Sequence, residues 1–317
     1  MSRPDPTARP TLRLGVQLPE VEYVVRWPDL VAMARRAEAI GLDALWLGDH
    51  LLYRGFGPDR TEARGPWEAW TTLAGLAAVT SRIRLGPLVA ATAFHAPPML
   101  AKMAATVDEI SGGRLVLGLG AGWNETEFSA FGFPFDHRVA RFEEAFTIVR
   151  TLLRDGAIDF EGTYYRARDC ELLPRPRAGG PPLLIGSNGP RMLRATLPYV
   201  DAWNSWFADT GNTPDGARRL NAMIDAACRE VDRDPSTLRR SVAVLVRLTG
   251  GLGRAHADPE AAAMPPLTGS AEEIAAGLLA YAEVGIDEVQ LVLDPITEAS
   301  IAELTPVVEL VRSAARA

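Results

Sequence analysis

The sequence predicts an α/β chain closed into a TIM-type (β/α)8 barrel. Three observations carry that expectation: eight short apolar runs suited to strands, an amphipathic run suited to a helix after each, and long connections that leave strand C-terminal ends. Strands alternating with helices pair in parallel, and eight pairs within 317 residues favour closure. Periodicity does not itself show closure, so an open doubly wound sheet stays as the alternative. All of 1–317 is expected to form one barrel domain. Residues 1–11 read as a disordered lead without an apolar signal segment.

The elements follow in order. LRLGVQL (12–18) is a first strand, and the helix WPDLVAMARRAEAIG (27–41) ends on Gly41. DALWLG (43–48) precedes the helix 67–81. IRLGPLVAA (83–91) precedes the helix 97–111, which Gly112-Gly113 terminate. GRLVLGLG (113–120) is the fourth strand, followed by the helix 138–156. PLLIGS (182–187), DAWNSWF (201–207), SVAVLVRLTG (241–250) and EVQLVLD (288–294) complete the strands. Helices over 190–200, 216–234, 271–285 and 300–315 alternate with them. Three connections fall outside the alternation: 49–66, 155–181 with a hairpin turning at Glu161-Gly162, and the Gly, Ala and Pro-rich 249–269. Loops this long are uncommon unless they cover a site or move.

Composition removes several classes. The net charge of −7 opposes general nucleic-acid binding. No apolar run approaches the roughly 20 residues that span a bilayer, and the cytoplasm is the expected compartment. Two cysteines supply neither a disulfide framework nor a metal cluster. Lys102, the only lysine, points to solvent on its helix, which disfavours Schiff-base chemistry. The four histidines lack metal-ligand spacing with one another, so no metal site is expected. Nucleophile-elbow and P-loop signatures are absent from the sequence. A bound organic cofactor then becomes the economical source of reactivity.

The candidate residues stand at strand C-termini. Asp49 and His50 end the second strand, and an imidazole there can move protons near neutral pH. Phe94 and His95 lie just past the third. The fourth strand carries Gly118, Gly120 and Gly122, which weaken a strand unless something approaches its backbone closely. A dinucleotide fingerprint would need glycine where Trp123 stands, and in the first βα unit rather than the fourth. The reading adopted is bare backbone on which a flat ring lies, with Trp123 and Asn124 walling the pocket and His95 and Trp67 shaping its substrate side. After the fifth strand, Gly186, Ser187, Asn188 and Gly189 lead into a helix at Pro190. Free N–H groups there suit a phosphate, and Arg191 adds charge.

AEAIGLDALWLGDHLL (37–52), EAWTTLAGLAAVTSRIRLGPLV (68–89) and the run 97–135 resemble the bacterial luciferase-like superfamily, and within it the F420-dependent oxidoreductases. FEGTYY, PRP, PPLLIGSNGPRMLR and YVDAWN follow in the family's order, so the resemblance covers about 12–206 and weakens afterwards. It implies a deazaflavin or flavin above the strand C-termini. It also implies a non-prolyl cis peptide at Leu88-Val89 pressing a bulge against the ring. Asp49 and His50 match the family's Asp-His pair, with His50 as acid–base. Ala121, Gly122 and Trp123 match the ring-binding strand end, and Gly186, Ser187, Gly189 and Arg191 the phosphate loop. Relatives of this kind are commonly homodimers. Two departures stand out: Ser187 replaces a second glycine, and Trp123 occupies the neighbourhood of an acidic residue found in F420 dehydrogenases.

The leading expectation is hydride transfer between F420 and a small organic substrate. One alternative is a monooxygenase using FMN and O2, with reduced flavin supplied by a partner reductase. Another is a non-catalytic flavin-binding protein, against which the Asp49-His50 pair and the open loops count.

Overall fold

A strand that must pair in parallel with its neighbour needs a crossover to bring the chain back, and helices supply these crossovers here. In the computed structural model, which describes residues 12–56, 59, 61–252 and 264–314, strands β1 (Arg13–Gln17) and β2 (Ala44–Leu47) start the barrel. A hairpin of β3 (Tyr53–Phe56) and β4 (Glu62–Arg64) follows. The third barrel strand is split into β5 (Arg84–Pro87) and β6 (Ala90–Ala91), and β7 (Leu117–Gly120) is the fourth. An outer hairpin, β8 (Ala157–Glu161) and β9 (Arg166–Glu171), precedes β10 (Leu183–Gly186), β11 (Ala202–Ser205), β12 (Arg239–Arg247) and β13 (Glu288–Asp294).

The barrel pairings are all parallel, in the order β5-β2-β1-β13-β12-β11-β10-β7-β6. A parallel bridge from Leu85 to Leu115 joins β5 to the approach of β7, which closes the ring. The closed alternative therefore holds over the open sheet. The expected lead at 1–11 lies outside the described residues, as do 57, 58, 60 and 253–263 of the two insertions.

Helices α1 (Trp27–Ala39), α2 (Ala69–Val79), α3 (Pro97–Ser111), α4 (Glu125–Phe131) and α5 (Arg138–Asp155) cover the first half. Helices α6 (Pro190–Thr196), α7 (Phe207–Thr210), α8 (Pro214–Glu230), α9 (Ala271–Glu283), α10 (Glu298–Glu303) and α11 (Thr305–Ala314) cover the second. Several elements differ from expectation. The continuous last helix is two, with Pro306 in the first turn of the second, where its missing N–H costs nothing. Phe207 leaves the sixth strand for α7. The 155–181 hairpin turns over Gly162–Tyr165 rather than at 161–162, because the Glu144 carboxylate accepts from the N–H groups of Thr163, Tyr164 and Tyr165. Helix α4 and the β3–β4 hairpin were not anticipated at all.

Alternation along the strands separates two cores. Leu14, Val16, Leu45, Leu117 and Ile185 face the helices, while Ala44, Trp46, Val116, Leu184 and Ala202 face inward. Trp46 fills the interior only because Gly15 and Gly86 have no side chain. A Cβ on Gly15 would lie 2.5 Å from its Nε1, and one on Gly86 3.2 Å from its Cζ3. Above it, Val89 meets Gly118, Gly120 and Gly186, whose added Cβ atoms would come within 2.9, 2.7 and 3.0 Å of the valine methyls. Gly118 and Gly120 thus make room for Val89, and the expectation that these two lie bare for a flat ring is corrected.

Past β12, the insertion returns as a bridge between Val246 and Leu267. Asn212 Nδ2 donates to the carbonyls of Leu245 and Pro265 at 3.0 and 2.8 Å, and its Oδ1 accepts from Leu245 N at 2.9 Å.

Gly118→Ala would place its Cβ 2.3 Å from the Pro87 carbonyl oxygen. It is expected to lower unfolding free energy by about 1–3 kcal/mol. Gly189→Ala meets nothing closer than 3.6 Å and should stay within about 0.5 kcal/mol of the parent. Urea denaturation of the two variants checks the pair.

Candidate functional site

The C-terminal rim is organised by a carboxylate that sequence reading missed. Glu127, 1% exposed in the first turn of α4, reaches back to the chain leaving β2. Its Oε1 lies 2.9 Å from His50 Nδ1, and its Oε2 accepts from the N–H groups of Leu51 at 2.8 Å and Leu52 at 3.3 Å. Asn124, the N-cap of α4, makes no cap bond; its Nδ2 donates instead to Leu52 O at 2.9 Å. Asn124 is therefore a buried clamp rather than a pocket wall. The one available signal was the spacing Asn124-x-x-Glu127, which matches a capping box but is used here across the rim.

Burial opposes charge on His50. The Glu127 hydrogen bond, with the nearby charges of Glu20, Glu127 and Asp49, outweighs it and raises the imidazole pKa above its ordinary value of 6.5. The ring lies 4.7 Å from Tyr53 and 5.7 Å, edge-on, from Trp123, itself 60% exposed. Trp123, expected to wall the pocket, stands beside His50.

Asp49 does not orient His50. Its Oδ2 accepts from Ala91 N at 2.9 Å, tying the end of β2 to β6. Burial pushes its carboxyl up to about 7, opposed by the Ala91 bond and the His50 charge and reinforced by Glu68 and Glu127. The Leu88-Val89 peptide is cis, as the resemblance implied, and both side chains are half-buried above the inner core.

His95 is half-buried, with its pKa lowered by burial against a raising effect of Glu68. Ligand-capable atoms of Asp49, Glu68 and His95 lie within 4.8 Å of one another, a mixed group that histidine spacing alone could not reveal. Its carboxylates already have structural work: Asp49 holds Ala91, and Glu68 caps α2 by accepting from Trp70 and Thr71 N–H at 2.7 Å each. Trp67 stands to one side, donating to Val25 O at 2.8 Å and lining a shallow cavity with Glu20, Leu47 and Gly48.

At the fifth strand, Gly189 N donates to Ser187 Oγ at 3.2 Å, and Arg191 and Met192 offer first-turn N–H groups of α6. Arg191 differs from expectation: its Nε pairs with Glu143 Oε1 at 2.8 Å and Nη2 with Oε2 at 2.5 Å. Gly186 belongs to the Val89 socket. Gly122 adopts φ +75°, its carbonyl accepts from Arg138, and Phe128 fills the space over it; Ala121 beside it is half-buried. Lys102 is half-buried on α3, its ammonium bonded to the Leu173 carbonyl.

The model of the luciferase-like monooxygenase family matches residues 11–263. The chain belongs to that family. Among luciferase-like relatives, the pyrimidine monooxygenase RutA of Stutzerimonas stutzeri (strain A1501) is 35% identical over 208 residues, 64% of this chain and 56% of the relative. The match thus spans little more than half the relative's length. An F420-dependent secondary alcohol dehydrogenase, solved with an F420-acetone adduct, superposes with a TM-score of 0.79 at 20% identity, over 95% of this chain and 99% of its own. Riboflavin lyase (RcaE), solved with modified FMN and riboflavin, gives a TM-score of 0.80 at 16% identity over 96% and 92%. The two solved structures share the luciferase-like barrel. Among the described residues no helix is long and apolar enough to cross a membrane.

Asp49 holds its proton up to about pH 7 in the folded chain, against an ordinary 3.8. Between these values the folded state binds the extra proton, so stability falls as pH rises. His50 acts in the same sense, its ion pair being lost as pH passes its raised pKa. Asp49→Asn keeps an acceptor for Ala91 and should flatten the decline between about pH 4 and 7, read by denaturation at a series of pH values. Glu127→Gln is expected to bring the His50 pKa down, measured by NMR titration of the imidazole.

Proposed function

We propose that the chain is a monooxygenase dependent on reduced flavin, acting on a small planar heterocycle. One observation carries the choice over F420-dependent hydride transfer. Where the F420 dehydrogenases bring an acid to the rim, this chain has Trp123; of the two carboxylates that follow, Glu125 is exposed on the outside of α4, and Glu127 is buried and committed to His50, Leu51 and Leu52. The 35% identity to a pyrimidine monooxygenase supports the same direction. The aromatic grouping of His50, Tyr53 and Trp123, its rings tilted or edge-on to one another, suits a flat ring.

The residues fit such a cofactor. The half-buried Leu88-Val89 peptide offers a floor for a tricyclic ring, since Val89 fills the space beneath it. Ala121, Gly122 and Trp123 would border the ring. Ser187 and the N–H groups of Arg191 and Met192 would hold the phosphate, with Arg191 exchanging Glu143 for it. Bound reduced flavin supplies the electrons for activating O2. The chain's part is to exclude water with Trp123 and Tyr53 and to deliver a proton from His50 Nε2 while Glu127 fixes Nδ1. A partner reductase and a homodimer belong to this reading.

F420-dependent hydride transfer is the second reading, because the same Leu88-Val89 floor accepts either tricyclic ring. Titration of the protein with FMN and with F420, followed by absorbance and fluorescence, separates the two. Binding of FMN, with pyrimidine substrates consumed when a flavin reductase is supplied, is expected. Binding of F420 alone would transfer the assignment to the second reading. His50→Ala should lower turnover by roughly 10²–10⁴-fold, the usual worth of an acid–base group, with cofactor affinity retained. Unchanged turnover would remove His50 from the chemistry.

A further inference from the structure

The opposite mouth of the barrel carries an unbalanced cluster that the rim chemistry does not use. The inward residues at the N-terminal ends of four strands are Arg13 on β1, Arg84 on β5, Arg239 on β12 and Glu288 on β13. They line a narrow pocket that opens to solvent, with Trp46 and Ser241 also on its wall. Three guanidinium groups face one carboxylate. Arg84 Nη2 and Arg13 Nε both approach the same oxygen, Glu288 Oε2, at 2.7 and 3.5 Å. Glu288 Oε1 is buried and has no hydrogen-bond partner, and neither has the buried Trp46 Nε1.

Other charges nearby are already engaged. Arg240 sends its guanidinium to Asp225 and to the carbonyls of Leu238, Asn221 and Pro235. Asp287 accepts from Arg240 N through Oδ2. Among the described residues, the half-buried Arg239 guanidinium has no hydrogen-bonded partner. Burial, with the neighbouring charges of Arg84 and Arg239, lowers the Arg13 pKa against the opposing pull of Glu288 and Asp287. A net-negative chain has thus collected surplus positive charge in one place.

We propose that this lower mouth binds a small protonated oxyanion of the hydrogen phosphate class. Its charged oxygens would accept from Arg239 and Arg13, and its O–H would donate to Glu288 Oε1. A ligand with both acceptors and a donor matches what the cavity leaves unsatisfied; a bare halide matches only the arginines. The site lies at the end of the barrel opposite His50, so it stands independently of the cofactor reading.

The test titrates the full-length protein with sodium hydrogen phosphate against sodium chloride at equal ionic strength, reading the thermal midpoint. The parent should rise saturably, by about 2 °C at tenfold saturation, as ligand linkage requires. Arg239→Gln should abolish that rise while leaving the midpoint in chloride unchanged, and Arg239→Lys should restore part of it. An equal phosphate response in the parent and in Arg239→Gln would place the anion elsewhere, as at the Ser187 loop, and overturn the proposal. So would a response that follows ionic strength alone. Should the variants fail to fold, arginine Nε–H NMR of the parent decides. Saturable phosphate shifts at Arg13 and Arg239 support the site, and unmoved resonances sink it.

Discussion

The rim depends on one buried carboxylate. Glu127 is removed from water and repays that cost by meeting an imidazole and two backbone N–H groups at once. Each of those partners belongs to the chain leaving β2, whereas Glu127 belongs to the helix after β7. The exits of two barrel strands are thereby fastened to each other, with Asn124 adding a fourth bond in the opposite sense. His50 is held by one nitrogen, and its neighbours Tyr53 and Trp123 are set around it.

A second constraint works beneath it. The inner core is built by trading glycines for one large side chain in each layer: Trp46 against Gly15 and Gly86, then Val89 against Gly118, Gly120 and Gly186. Packing at interior density leaves no slack for a methyl group at these positions. Strand three changes course at Leu88-Val89 and resumes pairing through Ala90 and Ala91, so the Val89 side chain enters the ring while the peptide above it forms a surface. On the proposed function, the floor for the cofactor and the plugging of the barrel are the same feature seen from two sides.

Much of the fold was legible because burial imposes period. The eight strands and most long helices stood where apolar runs placed them, and the Leu88-Val89 geometry followed from the family likeness. What escaped depends on partners remote in sequence. Glu127 acts on a residue 77 positions away, and Arg191 is drawn to Glu143 48 positions earlier. Helix α4 is seven residues with polar positions through its first turn, too short for a 3.6-residue pattern to emerge. Asp49 was read with His50 because they adjoin, yet successive residues at a strand end point to opposite sides, and Asp49 serves Ala91 instead. The alternating glycines were correctly seen as an invitation to close approach, but a valine from the neighbouring strand accepts it.

Asn212 sits at φ +54°, a conformation its short amide side chain tolerates better than most. With three hydrogen bonds it fastens the downstream foot of the 249–269 insertion to the seventh barrel strand. The anchorage of that foot is therefore borne by the barrel. The point where the chain comes back to the ring is thus held fast by a single amide, a fixed landmark that a scaffold can keep while its other parts diverge.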